Sequence, residues 1–399
     1  MSAAGRDEAP LIFLIAGEPS GDVLGARLMA ALKRQSGGKV RFAGVGGVHM
    51  GEEGLDSLFP IGELSVMGLA EVLPHVPRLL RRIRETAARI RALSPSVLIT
   101  IDSPDFTFRV ARRTRVGGAT MPAIHYVAPQ VWAWRPGKAK AAAHLFDRLM
   151  ALLPFEPPYF EAVGLPCTFV GHPVVESGAG TGDGPAFRRR HGIPEGTPLI
   201  CVLPGSRRTE TKLLLPVFGE TLARLTRSCP HLRAVVPTVE TVTDAVTAAA
   251  GEWPVPALVL TGEAEKFDAF AAADTGLAAS GTVTLEMAMA DLPMVVAYKM
   301  NPVTGWLARR LIRTRYVNLM NLILDRDAVP EMLQDDCTPD KLAQALFRLL
   351  TDGAAQRAQR AAFAEALEKL GRDGPPPSER AAEVVLEVIR GAGGRAAVG

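Results

Sequence analysis

Short, unbroken apolar runs, each stopped by a turn and followed by a helical pattern, restrict this chain more than any other feature. The sharpest is Val97–Ile101 (Val-Leu-Ile-Thr-Ile), which ends abruptly in Asp102, and Pro104 then blocks continuation of the strand. A largely β-branched run without alternation reads as a strand buried on both faces, the environment of a parallel sheet covered by helices. Similar runs fall at Leu11–Ala16, Val40–Val45, Ala123–Val127, Leu149–Leu153 and Thr168–Val170. They recur at Leu199–Leu203, Ala234–Val236, Ala257–Leu260, Thr275–Ala279 and Met294–Tyr298. Strands alternating with helices form parallel sheets through right-handed crossovers, so the predicted fold class is α/β, with two doubly wound, Rossmann-like parallel-sheet domains.

The 399 residues suffice for two such domains, each with its own core. Glu176–Pro185 is rich in glycine and small polar residues and reads by content as a flexible linker. It separates a first domain, 9–177, from a second, 184–372. Gly371–Pro377 closes the second, and Ser378–Arg390 reads as a last helix. That C-terminal segment, 378–391, is expected to pack back on the first domain. The net charge of +3 gives no case for a nucleic-acid partner. Cys167, Cys201, Cys229 and Cys337 lie far apart, which argues against a disulfide framework or zinc site and for a reducing compartment. No apolar run approaches the ~18 residues of a membrane span, and Met1–Pro10 shows no signal-peptide core. The expectation is a cytoplasmic protein, or one attached to a membrane from the cytosolic side.

Ligands of open α/β sheets bind beyond the carboxyl ends of the strands, so Val97–Ile101 carries Asp102 to the rim where small molecules sit. A functional carboxylate and a cap of the following turn both suit that position. Three glycine turns between strand and helix accompany it: Gly17-Glu18-Pro19-Ser20-Gly21-Asp22, Pro204-Gly205-Ser206-Arg207-Arg208 and Ala279-Ser280-Gly281-Thr282. Glycine is common at such turns for backbone reasons alone. Together they suggest a phosphate-bearing ligand in a cleft between the domains, bound by helix N-termini and the Arg207 guanidinium. Neither a dinucleotide fingerprint nor a Walker loop is present, so a nucleotide would bind in another way. Glu286 could complement a helix dipole or accept ribose hydroxyls, and the spacing permits both. His125 reads as a base or as a hydrogen-bonded core histidine. Asp325-Arg326-Asp327 reads as a solvated turn rather than a metal motif, and the histidines show no ligand spacing.

A helix expected over about Arg78–Leu93 places Leu79, Leu80, Ile83, Ala87 and Ile90 on one stripe and Arg78, Arg81, Arg82 and Arg89 opposite. The apolar segment Leu64–Leu73 precedes it, and Trp306–Arg313 again mixes bulky apolar and cationic residues. Both patterns suit attachment to an anionic bilayer surface.

Several short segments, in order between about Leu11 and Leu350, resemble the lipid-A-disaccharide synthases. They are Gly17–Asp22, Ser65-Val66-Met67-Gly68, Ile101–Phe106, Val131-Trp132-Ala133-Trp134-Arg135, Leu153-Pro154-Phe155-Glu156, Val170-Gly171-His172-Pro173, Leu203–Arg207, Ala279–Thr282 and Leu333-Gln334. Pro19, Ala128, Gln130 and parts of Asn318–Arg326 depart from the family pattern. The resemblance implies an inverting glycosyltransferase of GT-B architecture that needs no metal or cofactor. Such an enzyme joins UDP-2,3-diacylglucosamine to 2,3-diacylglucosamine 1-phosphate (lipid X), giving the β-1,6-linked lipid A disaccharide 1-phosphate and UDP. It implies Asp102 as general base on the acceptor 6-hydroxyl, with Asp105 and His125 as the alternatives. Arg207 would neutralise charge on the departing UDP, helped by the Gly205 and Gly281 turns. Glu286 would hold the ribose, and Asn321 matches a polar site residue. Glu18, Ser20, Gly21, Ser206, Ser280 and Thr282 complete the expected substrate contacts. Acyl-chain substrates also give a reason for membrane contact through Val66, Met67, Leu69, Arg78, Arg81 and Arg82, at the cytosolic face of the inner membrane. Oligomeric state is left open. The rival reading is a UDP-sugar epimerase of related two-domain fold, which needs no acceptor.

Overall fold

The computed structural model of the protein describes residues 9–64, 76–134, 136–301 and 314–396. It divides into two compact units, Met1–Pro173 with Asp373–Gly399, and Val174–Arg372.

The first unit runs β1 (Leu11–Ala16), α1 (Pro19–Gln35), β2 (Arg41–Val45), α2 (Val48–Glu52), α3 (Val76–Leu93), β3 (Val97–Ile101) and α4 (Pro104–Val116). It continues with β4 (Ala123–Tyr126), α5 (Gly137–Ala143), β5 (Arg148–Ala151), α6 (Pro157–Glu161) and β6 (Cys167–Phe169). The strands pair in parallel in the order β2-β1-β3-β4-β5-β6. All five residues of β3 are buried, as a strand with helices on both faces requires. Phe13, Ile15, Phe108 and Val110 belong to the core on one face; Ile12, Leu14, Leu28 and Met29 belong to the other. Register pairs Ile12 with Val97 and Ala16 with Ile101, so β1 and β3 end level and their turns are neighbours.

The last helix of the chain (Pro377–Ala396) closes the second of these cores, burying Ala381, Ala382, Val384 and Val385. Arg34 and Gln35 of α1 hydrogen-bond Glu379 at its start. In α3 the buried stripe is Ile83, Ala87 and Ile90, whereas Leu80 stays 40% exposed. The apolar face is therefore shorter than its periodicity suggests.

The second unit runs α7 (Gly184–Arg190), β7 (Leu199–Leu203), α8 (Arg208–Leu225), β8 (Arg233–Thr238), α9 (Thr243–Gly251), β9 (Ala257–Thr261), α10 (Lys266–Ala272) and β10 (Thr275–Ala279). Then follow α11 (Val283–Met289), β11 (Met294–Tyr298), α12 (Leu319–Leu324), β12 (Glu331–Leu333), α13 (Pro339–Thr351) and α14 (Gly353–Lys369). Its sheet is parallel in the order β12-β11-β10-β7-β8-β9. The edge strand β12 is absent from the sequence expectation, because three half-buried residues beginning with Glu331 make no apolar run.

The glycine-rich stretch is not a flexible linker. Gly182 lies so close to α10 that a Cβ there would meet the Phe267 carbonyl oxygen at 2.1 Å, and one at Gly184 would meet that of Ala271 at 2.4 Å. Asp183 between them caps α7 by accepting from Ala186 N at 2.8 Å. Here glycine marks backbone packed against backbone, a cause that composition does not separate from looseness.

Candidate active site

In the first unit, the level ends of β1 and β3 bring Gly17 against Ser103: a Cβ on Gly17 would lie 2.4 Å from the Ser103 side chain. Ser103 Oγ in turn donates to Glu18 Oε1 at 3.3 Å. Ser20 is exposed on the first turn of α1, and Gly21 packs beneath it against Ala16 and Ile101. Asp22, the last residue of that motif, is structural. Its carboxylate accepts from Gly47 N (2.7 Å), His49 N (3.0 Å) and Met50 N (3.1 Å), so it caps α2 from a neighbouring element.

Asp102 and Ser103 both adopt left-handed backbone, with φ of 51° and 43°. Consecutive non-glycine residues there cost of order 1–3 kcal/mol each, and persist only where surroundings over-determine them. The bracing is visible. Asp102 N donates to Tyr126 O (2.9 Å), Thr107 Oγ1 donates to Asp102 O (2.9 Å), and Ser103 N donates to Asp102 Oδ1 (2.7 Å). The carboxylate thus braces its own turn through one oxygen, and Oδ2 takes no hydrogen bond from the described residues. Burial raises the Asp102 pKa above the ordinary carboxylate value, opposed by the Ser103 N–H and the charge of Lys138.

The two alternative bases fare differently. Asp105 carries an 80% exposed side chain and forms an ion pair with Lys138 at 3.1 Å. His125 is fully buried. Its Nδ1 lies 2.7 Å from Thr100 Oγ1, its ring packs between Phe108 and Phe146, and burial pushes its pKa down to about 3. It is a neutral core histidine, and the expectation that it could act as a base is withdrawn.

In the second unit, β7 and β10 are adjacent and pair Leu203 with Ala278, so the turns holding Gly205–Arg207 and Ser280–Thr282 are neighbours. Gly205 has φ 100°, and Ser206 O accepts from Thr241 Oγ1 at 3.2 Å. Arg207 is the N-cap residue of α8; its guanidinium is 60% exposed and rests on Glu210 Oε1 at 2.8 Å. The arginine side of this pair is open to water while Glu210 is 14% exposed, so the guanidinium can turn to a stronger anion at modest cost. Gly281 and Thr282 are exposed and Ser280 half-buried, its hydroxyl 3.5 Å from Val317 O. Glu286, on the first turn of α11, is ion-paired with Lys266 at 3.0 Å. Burial raises its pKa while Lys266 opposes the rise.

Two expectations need correction. Asn321 is fully buried: Nδ2 donates to Val329 O, and Oδ1 accepts from Ala328 N and Val329 N, each at 2.9 Å. Its amide closes the turn after α12 and is spent there rather than facing a ligand. Arg82 is anchored inward, bonded to Glu63 (2.7 and 3.0 Å) and Glu85 (2.7 Å) and lying over the Phe59 ring, which removes it as a membrane contact. The Asp325-Arg326-Asp327 motif is a turn in which Arg326 pairs with Glu365 and Asp327 with Arg315. No cluster able to hold a metal occurs among the described residues. Arg78 and Arg81 are exposed on α3. Val66, Met67, Leu69 and the 306–313 stretch lie outside the described residues.

Glu156 is a further buried carboxylate of the first unit. It is 3% exposed and accepts from Leu153 N (3.0 Å) and Trp132 Nε1 (3.2 Å), while burial raises its pKa to about 7. It therefore ties together two segments of the family resemblance. The signal was present in their co-occurrence, but only the fold joins them.

The two-sheet α/β architecture is that of the GT-B glycosyltransferases and the related epimerases. S. aureus MnaA in complex with UDP superposes with a TM-score of 0.62 at 14% identity, covering 94% of this chain and 95% of that one. The UDP-GlcNAc 2-epimerase of Neisseria meningitidis bound to UDP-GlcNAc gives 0.62 at 11% identity, covering 95% and 99%. Acinetobacter baumannii MurG gives 0.55 at 15% identity, covering 96% and 99%. These likenesses define the fold class. Sequence is more specific: residues 12–383 match the family described as lipid-A-disaccharide synthetase. The lipid-A-disaccharide synthase of Rhodospirillum centenum is 59% identical over 379 residues, 95% of this chain and 94% of that protein. That of Paramagnetospirillum magneticum is 54% identical over 382 residues, 95% and 98%. The chain belongs to the lipid-A-disaccharide synthase family and is a glycosyltransferase.

Proposed function

We propose that the protein transfers the diacylglucosaminyl group of UDP-2,3-diacylglucosamine to the 6-hydroxyl of 2,3-diacylglucosamine 1-phosphate, with inversion, giving the β-1,6 disaccharide 1-phosphate and UDP. The observation that carries this reading is Asp102. It is braced by its own turn, partly desolvated, and has one oxygen that takes no hydrogen bond from the described residues. As the acceptor oxygen bonds to the anomeric carbon, Asp102 takes the hydroxyl proton. The bond from that carbon to the UDP oxygen breaks, and its electron pair leaves with UDP. A positioned base contributes about 10²–10⁴ in rate. Arg207 and the backbone N–H groups of the Gly205 and Gly281 turns would receive the charge arriving on UDP, and Glu286 would accept the ribose hydroxyls.

Two acylated substrates call for work at a lipid surface. No helix among the described residues is long and apolar enough to cross a membrane. Leu80 and the exposed Arg78 and Arg81 suit contact with an anionic surface, each cation contributing about 1 kcal/mol near it. On this reading the protein is peripheral, on the cytosolic face of the inner membrane.

The test is Asp102→Asn. Disaccharide formation should fall by about 10²–10⁴ while UDP affinity stays within about twofold. Turnover retained above a few per cent would remove Asp102 as the base.

A further inference from the structure

Glu286 is held by Lys266. Lys266, the first residue of α10, has a side chain only 14% exposed. Its ammonium sits against both oxygens of Glu286, donating to Oε1 at 3.2 Å and ion-paired with Oε2 at 3.0 Å. Glu263 also touches it at 3.3 Å but is 85% exposed, and the Phe267 ring centroid lies 5.0 Å away. Withdrawing a lysine from water costs desolvation and rotamer entropy, so a half-sequestered Lys on a half-sequestered Glu is a more definite arrangement than a surface ion pair.

The arithmetic of lone pairs says what this arrangement leaves. An ionised carboxylate offers about four acceptor sites, two on each oxygen. Lys266 stands on one side of the carboxylate, hydrogen-bonded to Oε1 and ion-paired with Oε2, and so covers that side of both oxygens. One site on each oxygen remains, which is the demand of two adjacent hydroxyl donors. A protonated or freely rotating carboxyl would not keep both sites available.

We propose that Lys266 is a positioning residue for nucleotide recognition: by clamping both oxygens of Glu286 it presents one acceptor to each vicinal hydroxyl of a ribose, so that the site distinguishes ribonucleotide from deoxyribonucleotide. This rests on the reading of Glu286 as the ribose acceptor.

Calorimetric titration of the full chain with UDP and with 2′-deoxy-UDP tests it. The wild type should bind UDP about tenfold or more tightly than 2′-deoxy-UDP, the scale of one hydrogen bond to a charged group. Lys266→Met should compress that ratio to below about threefold by weakening UDP, leaving 2′-deoxy-UDP affinity within about twofold. Lys266→Arg, which can still donate to both oxygens, should keep most of the ratio. A wild-type ratio in Lys266→Met, or an equal loss for both nucleotides in a folded variant, overturns the proposal. If circular dichroism shows Lys266→Met unfolded, Lys266→Gln decides by the same comparison. Glu286→Gln separates the two readings. If it abolishes discrimination while Lys266→Met does not, the positioning role alone fails. If it leaves discrimination intact, the ribose role of Glu286 fails as well.

Discussion

Asp102 and Ser103 store backbone strain beside a carboxylate oxygen that takes no hydrogen bond from the described residues, while Arg207 sits in an unstrained position with its side chain 60% exposed. The two residues should therefore answer mutation differently from a structural residue. For Arg207→Ala the melting temperature should fall by no more than about 2–4 °C, because the pair that is lost is open to water on the arginine side and sheltered only at Glu210. kcat should nevertheless fall by about 10²-fold or more, as for removal of a group that stabilises charge in the transition state. An unchanged kcat would remove Arg207 from leaving-group stabilisation. The position of Asp102 was legible because an acid directly ends an apolar strand, and parallel-sheet geometry tells where that end lies. The core reading of His125 was among those its sequence position offered, whereas Asn321 and Arg82 were misjudged because their partners, the Ala328–Val329 backbone and Glu63, are brought to them only by the fold. A polar residue type names the bonds it can make; only the fold says whether they are already made.

Helices and turns carry the next layer. Gly182 has φ −66°, which alanine adopts freely, so its substitution discriminates two accounts by sign. In a loose linker, Gly→Ala stabilises by about 0.4–1 kcal/mol through the unfolded state. Against the Phe267 carbonyl the added methyl overpacks, and we predict a destabilisation of about 1–3 kcal/mol in urea unfolding. Stabilisation would restore the linker reading. Glu156 supplies the pH test. Its folded pKa, about 7, is above its unfolded value, so between roughly pH 4.5 and 7 the folded state holds more of this proton than the unfolded state does. Its contribution to stability is thus fully present below the unfolded value and is lost as pH rises through 7. The melting temperature of the wild type relative to Glu156→Gln should fall from pH 5 to pH 8, and a flat difference would contradict the burial assigned to this carboxylate. Only the strand positions of these elements, not the Trp132–Glu156 tie or the Asp22 cap on α2, could be foreseen from periodicity. Both join segments more than 20 residues apart.

At the scale of the molecule, two parallel six-stranded sheets were legible from continuous apolar runs closed by glycine or acidic turns, with β12 the exception because it is short and polar at one end. Fold alone does not choose the reaction, since GT-B transferases and UDP-sugar epimerases share it. Family membership makes the choice; under the proposed function the first unit holds Asp102 and the second the Gly205, Arg207 and Gly281 turns. The most direct measurement follows UDP and sugar-lipid product together, in detergent micelles, with UDP-2,3-diacylglucosamine alone and then with 2,3-diacylglucosamine 1-phosphate added. The account predicts one UDP per disaccharide, a product mass equal to donor sugar plus acceptor less water, and no consumption of the donor without acceptor. Conversion of UDP-2,3-diacylglucosamine to an epimer, or sustained release of UDP in the absence of acceptor, would contradict it.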